Sequence, residues 1–162
     1  MTYNEAINSE ENILWQNAMD EEMQSLTENN TFEELKLPEG KQSIGGRWVY
    51  AIKPGLDGND IHKARYVAKG YNQTQGIDYF STFAPTARHS SIRILMQIAA
   101  QCNYLVHQMD VKGAYLNAPI DCELYVDMPE GYRSNNRVYK LNKSLYGLKQ
   151  SASNWHKILG EW

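Results

Sequence analysis

A chain of 162 residues, of which 42% are hydrophobic and 11% aromatic, can bury a hydrophobic core, and this composition excludes a largely disordered protein. No stretch approaches the roughly 20 apolar residues that a membrane span needs, and the N-terminus lacks the basic start and apolar block of a signal peptide. We therefore expect an intracellular protein with no membrane partner. The two cysteines lack metal-ligand spacing, and we expect both to be reduced thiols.

Charge is distributed unevenly along the chain. Residues 1–35 hold nine acidic residues and no lysine or arginine, so the remaining residues carry a net charge of +6 although the whole chain carries −3. We therefore expect two parts, an acidic helical segment over residues 1–35 and a basic body over residues 36–162. The basic excess suits an anionic partner such as nucleic acid or a nucleotide, and a solvated basic surface would explain it as well.

The first half of the chain contains a predicted helix and a predicted hairpin. Residues 10–28 place apolar side chains, with Glu22 among them, close to a 3.6-residue period, which predicts an amphipathic helix. Residues 29–41 contain two asparagines, a proline and a glycine, and we predict a connector there. Two strand-like runs follow, "GRWVYAIK" and "HKARYVAKGY", and the Asp57-Gly58 pair between them is typical of a turn, so we predict an antiparallel β-hairpin.

In the second run of the hairpin, mostly charged residues alternate with uncharged ones. Lys63, Arg65 and Lys69 share one face of the predicted strand with Val67, whereas alanines and a tyrosine occupy the other face. Three cations on one face would suit phosphate groups. A charged, solvent-facing edge strand that avoids pairing with other chains is the alternative, and the pattern alone does not separate the two.

Regular structure is predicted through the second half as well. Residues 90–102 carry apolar side chains at helical spacing on more than one side, which predicts a helix packed beneath a sheet. "YLVHQMDV", residues 104–111, is predicted to be a strand, as are "ELYVDM" and "RVYKLNK", and a helix is predicted to begin at Ser151. The element order predicts an α+β domain with an antiparallel sheet and packed helices.

Asp110 ends the strand predicted over residues 104–111. A strand-terminal aspartate is commonly a turn or cap residue, because its side chain accepts hydrogen bonds from nearby main-chain N–H groups. The residues that follow suggest another use, since Gly113 and Ala114 leave the backbone uncluttered and Tyr115 presents an aromatic ring. A flat group would fit against such a surface.

Four motifs in this order, "KARYVAKGY", "TFAPT", "DVKGAYLN" and "SLYGLKQS", resemble the reverse transcriptases of copia-type retrotransposons, and the resemblance extends to the tryptophan-bearing first helix. It implies the fingers and the first part of the palm of a right-hand polymerase, an RNA-directed DNA polymerase within a Pol polyprotein. It also implies an RNA or DNA template-primer and deoxyribonucleoside triphosphates as partners, in cytoplasmic virus-like particles and in the nucleus.

The resemblance gives roles to the residues around Asp110. Asp110 would be the first catalytic carboxylate and would bind Mg²⁺ together with the main-chain carbonyl of Val111, since nucleotidyl transfer uses two metal ions roughly 3.5–4 Å apart with oxygen ligands. Tyr115 would lie beneath the sugar of the incoming nucleotide and favour deoxyribonucleotides. Lys63 and Arg65 would hold the triphosphate, lysine as a point charge and arginine as a planar fork.

Four other residues are expected to contact nucleic acid. Lys53 and Lys69 of the hairpin would touch the template. In "LYGLKQS", the resemblance implies that Gly147 lets the backbone approach a base and that Lys149 meets a phosphate. A glycine-containing turn before a helix is the alternative for this segment.

The sequence also departs from the family pattern. The family's second carboxylate motif is an Asp-Asp pair after an aromatic and a small apolar residue, and no such pair occurs in these 162 residues. "LYVDM", residues 124–128, resembles the motif but has Met128 in place of the second aspartate, so we expect a structural strand there. We therefore interpret the chain as a truncated reverse transcriptase fragment that lacks polymerase activity alone and binds Mg²⁺ weakly or not at all.

Two other interpretations are open. A non-catalytic remnant would bind nucleic acid through the hairpin cations alone, and a protein-interaction scaffold would use the acidic N-terminal helix as its contact surface. The last predicted helix also carries apolar residues with no predicted partner, from which we expect self-association. These residues are Trp155, Ile158, Leu159 and Trp162.

Overall fold

The structure, a computed structural model, describes residues 1–55, 58–134 and 136–161. Within these residues, the chain forms helices and groups of antiparallel strands, which confirms the predicted α+β class. The helices are α1 (Tyr3–Ile7), α2 (Asn12–Glu28), α3 (His89–Gln101) and α4 (Ser151–Gly160). The strands are β1 (Phe32–Lys36), β2 (Gly46–Pro54), β3 (Asp60–Ala68), β4 (Tyr125–Asp127) and β5 (Arg137–Leu141), and 3-10 turns cover Gly70–Asn72 and Ala114–Asn117.

Two helices occupy most of the first 28 residues, and β1 begins within the segment predicted to be helical over residues 1–35. α1 is not among the predicted elements, and it begins at a capping box in which the Glu5 N–H donates to the Thr2 hydroxyl and the Thr2 N–H donates to the Glu5 carboxylate. α2 confirms the helix predicted over residues 10–28. Its apolar stripe packs into the core through Trp15, Ala18, Met19 and Leu26.

The connector predicted over residues 29–41 contains a strand, so that prediction is wrong. β1 pairs antiparallel with β5, beginning with Phe32 opposite Leu141, and the Phe32 ring stacks on Tyr139 with 3.7 Å between the ring centroids. The partner strand is a hundred residues away along the chain. A short strand with few apolar residues is specified by such a partner rather than by its own pattern, and local sequence therefore does not predict it.

Two sheets organise the strands. β5 lies at the centre of a three-stranded antiparallel sheet with the order β1-β5-β4, which confirms the two strands predicted in "ELYVDM" and "RVYKLNK". β2 and β3 form the predicted antiparallel hairpin, with Gly46 opposite Ala68 at one end and Pro54 opposite Asp60 at the other. Asp57, which belongs to the turn signal, lies outside the described residues.

The start of β2 requires a glycine. A Cβ atom placed on Gly46 would lie only 1.9 Å from the hydroxyl oxygen of Tyr66, because the phenol ring packs directly over the Gly46 backbone. That phenol donates a hydrogen bond to the main-chain oxygen of Asp127 and so joins the hairpin to β4. The glycine therefore permits a contact between the two sheets.

The core lies where α2, the hairpin and the three-stranded sheet meet. Trp48 of β2 is buried, and its indole N–H donates to the main-chain oxygen of Glu130 at 3.0 Å. α2 packs along β3. The buried cluster also includes Met19, Leu26, Ile44, Tyr66, Leu116, Leu124, Val126, Leu141, Leu145 and Leu148.

α3 confirms the helix predicted over residues 90–102, but the prediction that this helix lies beneath a sheet is wrong. None of its residues is buried, and Leu95 is 66% exposed. Helical hydrogen bonds form within a single segment, so α3 keeps its shape without a cover. Its apolar sides face outward because no described segment packs over them.

The strand predicted over residues 104–111 is absent, which is a second correction. These residues are assigned to no helix or strand and belong to neither sheet, and Leu105 and Met109 are about nine-tenths exposed. A strand exists only when a neighbouring strand completes its hydrogen bonds, and no described strand lies beside this segment. Among the described residues, no helix is long and apolar enough to cross a membrane.

Candidate active-site cleft

A cleft of about 870 Å³ is lined by α2, by β3 and by the segment that begins at Asp110. It brings together all five residues predicted to bind the nucleotide or the metal, although they come from distant parts of the sequence. These residues are Lys63, Arg65, Asp110, Val111 and Tyr115. The remaining walls come from Ala18, Glu21, Glu22, Ser25, Ala64, Lys112, Gly113, Ala114, Leu116, Tyr146 and Trp155.

The pleat of β3 directs the two cations into the cleft. Lys63 and Arg65 are exposed, whereas Ala64, Tyr66 and Ala68 are buried, which confirms the predicted alternation. The guanidinium carbon of Arg65 lies 5.1 Å from the centroid of the Tyr146 ring. A planar cation held against an aromatic face keeps the N–H groups at its edge free for an anion.

The outer edge of β3 is covered beside Arg65. The Tyr66 N–H donates to the Glu22 carboxylate at 3.2 Å, and the Ala68 N–H donates to the main-chain oxygen of Tyr146 at 2.8 Å. An open edge here would expose these N–H groups to other chains. Because α2 and Tyr146 satisfy them, protection of an open edge does not explain the charge at this end of the strand.

Asp110 is exposed and faces the same cleft as the two cations. The backbone after it turns at Gly113, which has a φ of +60°, and continues into the 3-10 turn Ala114–Asn117. This turn leaves Tyr115 half-buried, with its ring centroid 5.7 Å from that of Tyr146. The strand predicted for Asp110 is absent, and the cleft nevertheless contains Asp110 together with Lys63 and Arg65. The catalytic role of Asp110 stays a prediction.

Sequence reasoning did not place α2 in this site. Glu21 and Glu22 line the cleft, and burial raises the pKa of Glu22 against the opposing effects of the Tyr66 hydrogen bond and of Arg65. One signal was present in the sequence, because Glu22 occupies a position on the apolar stripe of the helix. A carboxylate on a buried stripe needs a partner, and here that partner is the edge of β3.

Lys53 and Lys69 do not line the cleft. Lys53 is exposed on β2, opposite Ile61. Lys69 follows β3; its N–H donates to the main-chain oxygen of Gly45 at 2.8 Å, and its side chain runs beside that glycine. The predicted set of hairpin cations is thus divided between the cleft and other surfaces.

Gly147 belongs to a tight turn before α4, as the structural alternative for this segment predicted. Its φ is +88°, and a Cβ atom on it would lie 2.2 Å from the main-chain oxygen of Ala68. A positive φ and this close approach both require glycine. The backbone that Gly147 approaches is therefore that of β3 itself, and its predicted contact with a base stays a prediction.

Lys149 lies outside the cleft in a polar cluster. Its ammonium nitrogen is 4.7 Å from the centroid of the Tyr79 ring and 3.3 Å from the main-chain oxygen of Gln73. Beneath it, the Gln73 amide donates to the Gln150 side-chain oxygen at 2.9 Å, and the Gln150 amide donates to the main-chain oxygen of Asp78 at 2.8 Å. These bonds fix the loop that carries Tyr79 to the start of α4.

The described residues contain no group of three or more His, Cys, Asp or Glu side chains able to hold a metal ion. Asp110 offers one carboxylate and Val111 one main-chain carbonyl, whereas Mg²⁺ takes six oxygen ligands in octahedral geometry. These two donors alone do not make a magnesium site. In "LYVDM", Tyr125–Asp127 form β4 and Asp127 accepts a hydrogen bond from Ser43, which agrees with the predicted structural strand.

Residues 29–162 match the family model described as "Reverse transcriptase (RNA-dependent DNA polymerase)". The chain belongs to the reverse transcriptase family. The Pol polyprotein of transposon TNT 1-94 from Nicotiana tabacum is 41% identical over 143 residues, which cover 86% of this chain and 11% of the polyprotein. The Pol polyprotein of transposon RE1 from Arabidopsis thaliana is 38% identical over 147 residues, 88% of this chain and 10% of the relative.

A more distant relative also matches this reverse transcriptase segment. The truncated transposon Ty1-A Gag-Pol polyprotein from Saccharomyces cerevisiae is 33% identical over 166 residues, which cover 98% of this chain and 13% of the relative. These matches confirm the resemblance to copia-type reverse transcriptases. The chain thus spans only about a tenth of the length of the relatives it matches. No solved structure matches it.

Proposed function

We propose that this chain forms the fingers and the first part of the palm of a right-hand polymerase, and that its cleft receives the incoming deoxyribonucleoside triphosphate during RNA-directed DNA synthesis. One observation carries the proposal. The acidic Asp110 and the basic Lys63 and Arg65 face one cleft, with Tyr115 on its wall. The two signs of charge match a substrate that presents both phosphates and the metal ions that accompany them.

The phosphate end of the nucleotide would lie against β3. Arg65 presents the edge of its guanidinium group, which binds two phosphate oxygens at once, and Lys63 adds a point charge. The sugar would lie over Tyr115, where the neighbouring backbone at Gly113 and Ala114 leaves room. Asp110 and the Val111 carbonyl would contribute to a Mg²⁺ site whose other oxygen ligands come from the phosphates, from water or from other parts of the polyprotein.

Template and primer would bind outside the cleft. Lys149 is exposed beside Tyr79, and a cation next to an aromatic ring suits a nucleic-acid strand, since the ring stacks on a base and the cation meets a phosphate. Lys53, Lys69 and the Gly147 turn are further candidates for this surface. The partner would be an RNA or DNA template-primer, and the setting would be a cytoplasmic virus-like particle and the nucleus.

A nucleotide-binding experiment tests the cleft directly. Arg65→Ala should weaken binding of deoxythymidine triphosphate to the chain by about tenfold or more, because a charged group that binds phosphate is lost. Lys53→Ala removes the same charge from the same hairpin outside the cleft, and it should leave the affinity unchanged. Equal losses for both variants would show only a diffuse electrostatic attraction and would refute the proposed cleft.

The second candidate function is nucleic-acid binding without catalysis, favoured by the exposure of Lys53 and Lys63 on the hairpin. Binding of single-stranded RNA should then fall steeply with salt, and the loss should be shared among Lys53, Lys63, Arg65 and Lys69 when each is replaced by alanine. A loss confined to the cleft residues, together with nucleotide binding, would favour the polymerase function instead.

Self-association is proposed for the uncovered apolar surface. α3 and residues 104–111 expose large side chains, including Leu95 at 66% and Leu105 at 89%. Apolar patches of this extent commonly mark interaction surfaces. Of the α4 residues for which self-association was expected, Ile158 is half-buried and Leu159 is exposed, whereas Trp162 lies outside the described residues.

A further inference from the structure

We propose that Tyr146 is a positioning residue that holds the Arg65 guanidinium group in the orientation needed to receive a triphosphate and supports Tyr115 from the same ring. The proposal rests on the proposed function of the cleft. Tyr146 lies in the turn before α4, and its ring is close to both side chains. The Arg65 guanidinium carbon is 5.1 Å from its ring centroid, and the Tyr115 ring centroid is 5.7 Å away with the planes inclined by 56°.

The position of Tyr146 is fixed by its own backbone. Its main-chain oxygen accepts the Ala68 N–H at 2.8 Å, and its neighbour Leu145 is buried in the core. Gly147 follows with a positive φ and approaches the same alanine closely. The turn is thereby attached to β3, which is the strand that carries Arg65. The turn that carries the ring is therefore hydrogen-bonded to the strand that carries the cation.

The ring restrains Arg65 without occupying its hydrogen-bonding groups. Within the described residues, Arg65 has no carboxylate partner within 4 Å, although Glu22 faces the same cleft. An ion pair would use the N–H edge of the guanidinium group, whereas contact with an aromatic face leaves that edge free. A side chain already held in its binding orientation loses less conformational entropy when the anion arrives.

The aromatic ring, rather than the hydroxyl group, should carry this effect. Within the described residues, the Tyr146 hydroxyl has no hydrogen-bond partner, whereas the ring contacts both Arg65 and Tyr115. Tyr146→Phe keeps the ring and Tyr146→Leu removes it at similar apolar character. The two variants therefore form a matched pair.

The experiment measures binding of deoxythymidine triphosphate to the full chain by calorimetry, with the melting temperature of each variant recorded beside it. Tyr146→Phe should bind like the unmodified chain, and Tyr146→Leu should bind roughly 3- to 10-fold more weakly, as expected for one side chain released from its orientation. In the Tyr146→Leu background, Arg65→Ala should cost less affinity than it does alone, because the two residues act together. Unchanged affinity in Tyr146→Leu, an equal loss in Tyr146→Phe, or fully additive losses would overturn the proposal.

A second measurement separates this proposal from the proposed function. In a nuclear magnetic resonance spectrum of the chain without ligand, ring currents should shift the Arg65 side-chain protons upfield, and Tyr146→Phe should retain the shift. Absence of the shift in the unmodified chain would refute the positioning role even if Tyr146→Leu did not fold. If the Arg65 protons are shifted but the chain binds no nucleotide, the proposed function of the cleft is refuted, whereas the contact between Tyr146 and Arg65 is confirmed.

Discussion

The Glu22 carboxylate of α2 accepts the main-chain N–H of Tyr66 in β3, with 3.2 Å between oxygen and nitrogen. This hydrogen bond joins the acidic helix to the basic hairpin at the cleft. The helix therefore forms one wall of the site that the hairpin cations line. The acidic segment and the basic body of the sequence meet at this point.

Replacement of Glu22 by glutamine should stabilise the chain at neutral pH. Burial raises the pKa of Glu22, so the folded chain favours the protonated carboxyl group. The protonated group therefore contributes its full stability below the pKa of the unfolded state, and this stability is lost as the pH rises through the pKa of the folded state. Glutamine stays neutral and still accepts the Tyr66 N–H. We expect the melting temperature to rise by about 1–3 °C at neutral pH.

The control for this prediction is Glu21→Gln, which removes a charge from the exposed neighbouring residue. Thermal melts from about pH 8 to about pH 4 should show the Glu22→Gln advantage shrinking as the pH falls, while Glu21→Gln shows little change. An advantage that grew toward acidic pH would mean that the sign of the Glu22 shift is wrong.

Gly46 and Gly45 should respond differently to alanine. A Cβ atom at position 46 would meet the Tyr66 phenol at 1.9 Å, whereas one at position 45 would lie 3.3 Å from the flexible side chain of Lys69. Gly46→Ala should lower the free energy of unfolding by about 1–3 kcal/mol or more, as overpacking does. Gly45→Ala should cost less, and urea unfolding of both variants compares them. Equal costs would show that backbone freedom, and not the Tyr66 contact, requires these glycines.

The two thiols should differ sharply in reactivity. Burial raises the pKa of Cys122 to about 11, and its thiol donates to the main-chain oxygen of Asp78 at 2.9 Å, whereas Cys102 is exposed after α3. Because the thiolate is the reactive form, iodoacetamide should modify Cys102 first in the folded chain and reach Cys122 only after unfolding. Peptide mapping by mass spectrometry follows both sites. Modification at matching rates would contradict the described environment of Cys122.

Charged substitutions on the uncovered surface should change association without changing stability. Leu95→Lys and Leu105→Lys alter side chains that are 66% and 89% exposed, so the free energy of unfolding should stay within about 0.5 kcal/mol of the original. Light scattering should report smaller particles for these variants if the apolar surface drives self-association. Unchanged particle size in both lysine variants would show that this surface does not drive self-association. As a control in the core, Leu26→Ala should lower the free energy of unfolding by about 2–5 kcal/mol.

Local patterns in the sequence were sufficient for several elements. α2 and α3 follow from apolar spacing at the helical period, and the β2–β3 hairpin follows from alternation, because both patterns operate within one segment or between adjacent segments. The motifs around Lys63, Arg65, Asp110 and Tyr115 indicated the family. Each of these inferences depends on residues that are close together along the chain.

Contacts between distant segments account for what those patterns missed. β1 exists because β5 lies beside it, and residues 104–111 are not a strand because no described strand pairs with them. Glu22 and Tyr146 joined the cleft through hydrogen bonds and ring contacts across long stretches of sequence. A helix satisfies its main-chain hydrogen bonds internally, whereas a strand, a buried face and a binding cleft each need groups from elsewhere in the chain. The periodicity of the sequence therefore indicates which faces and main-chain groups must be covered or hydrogen-bonded, and the tertiary structure determines which segments cover or bond them.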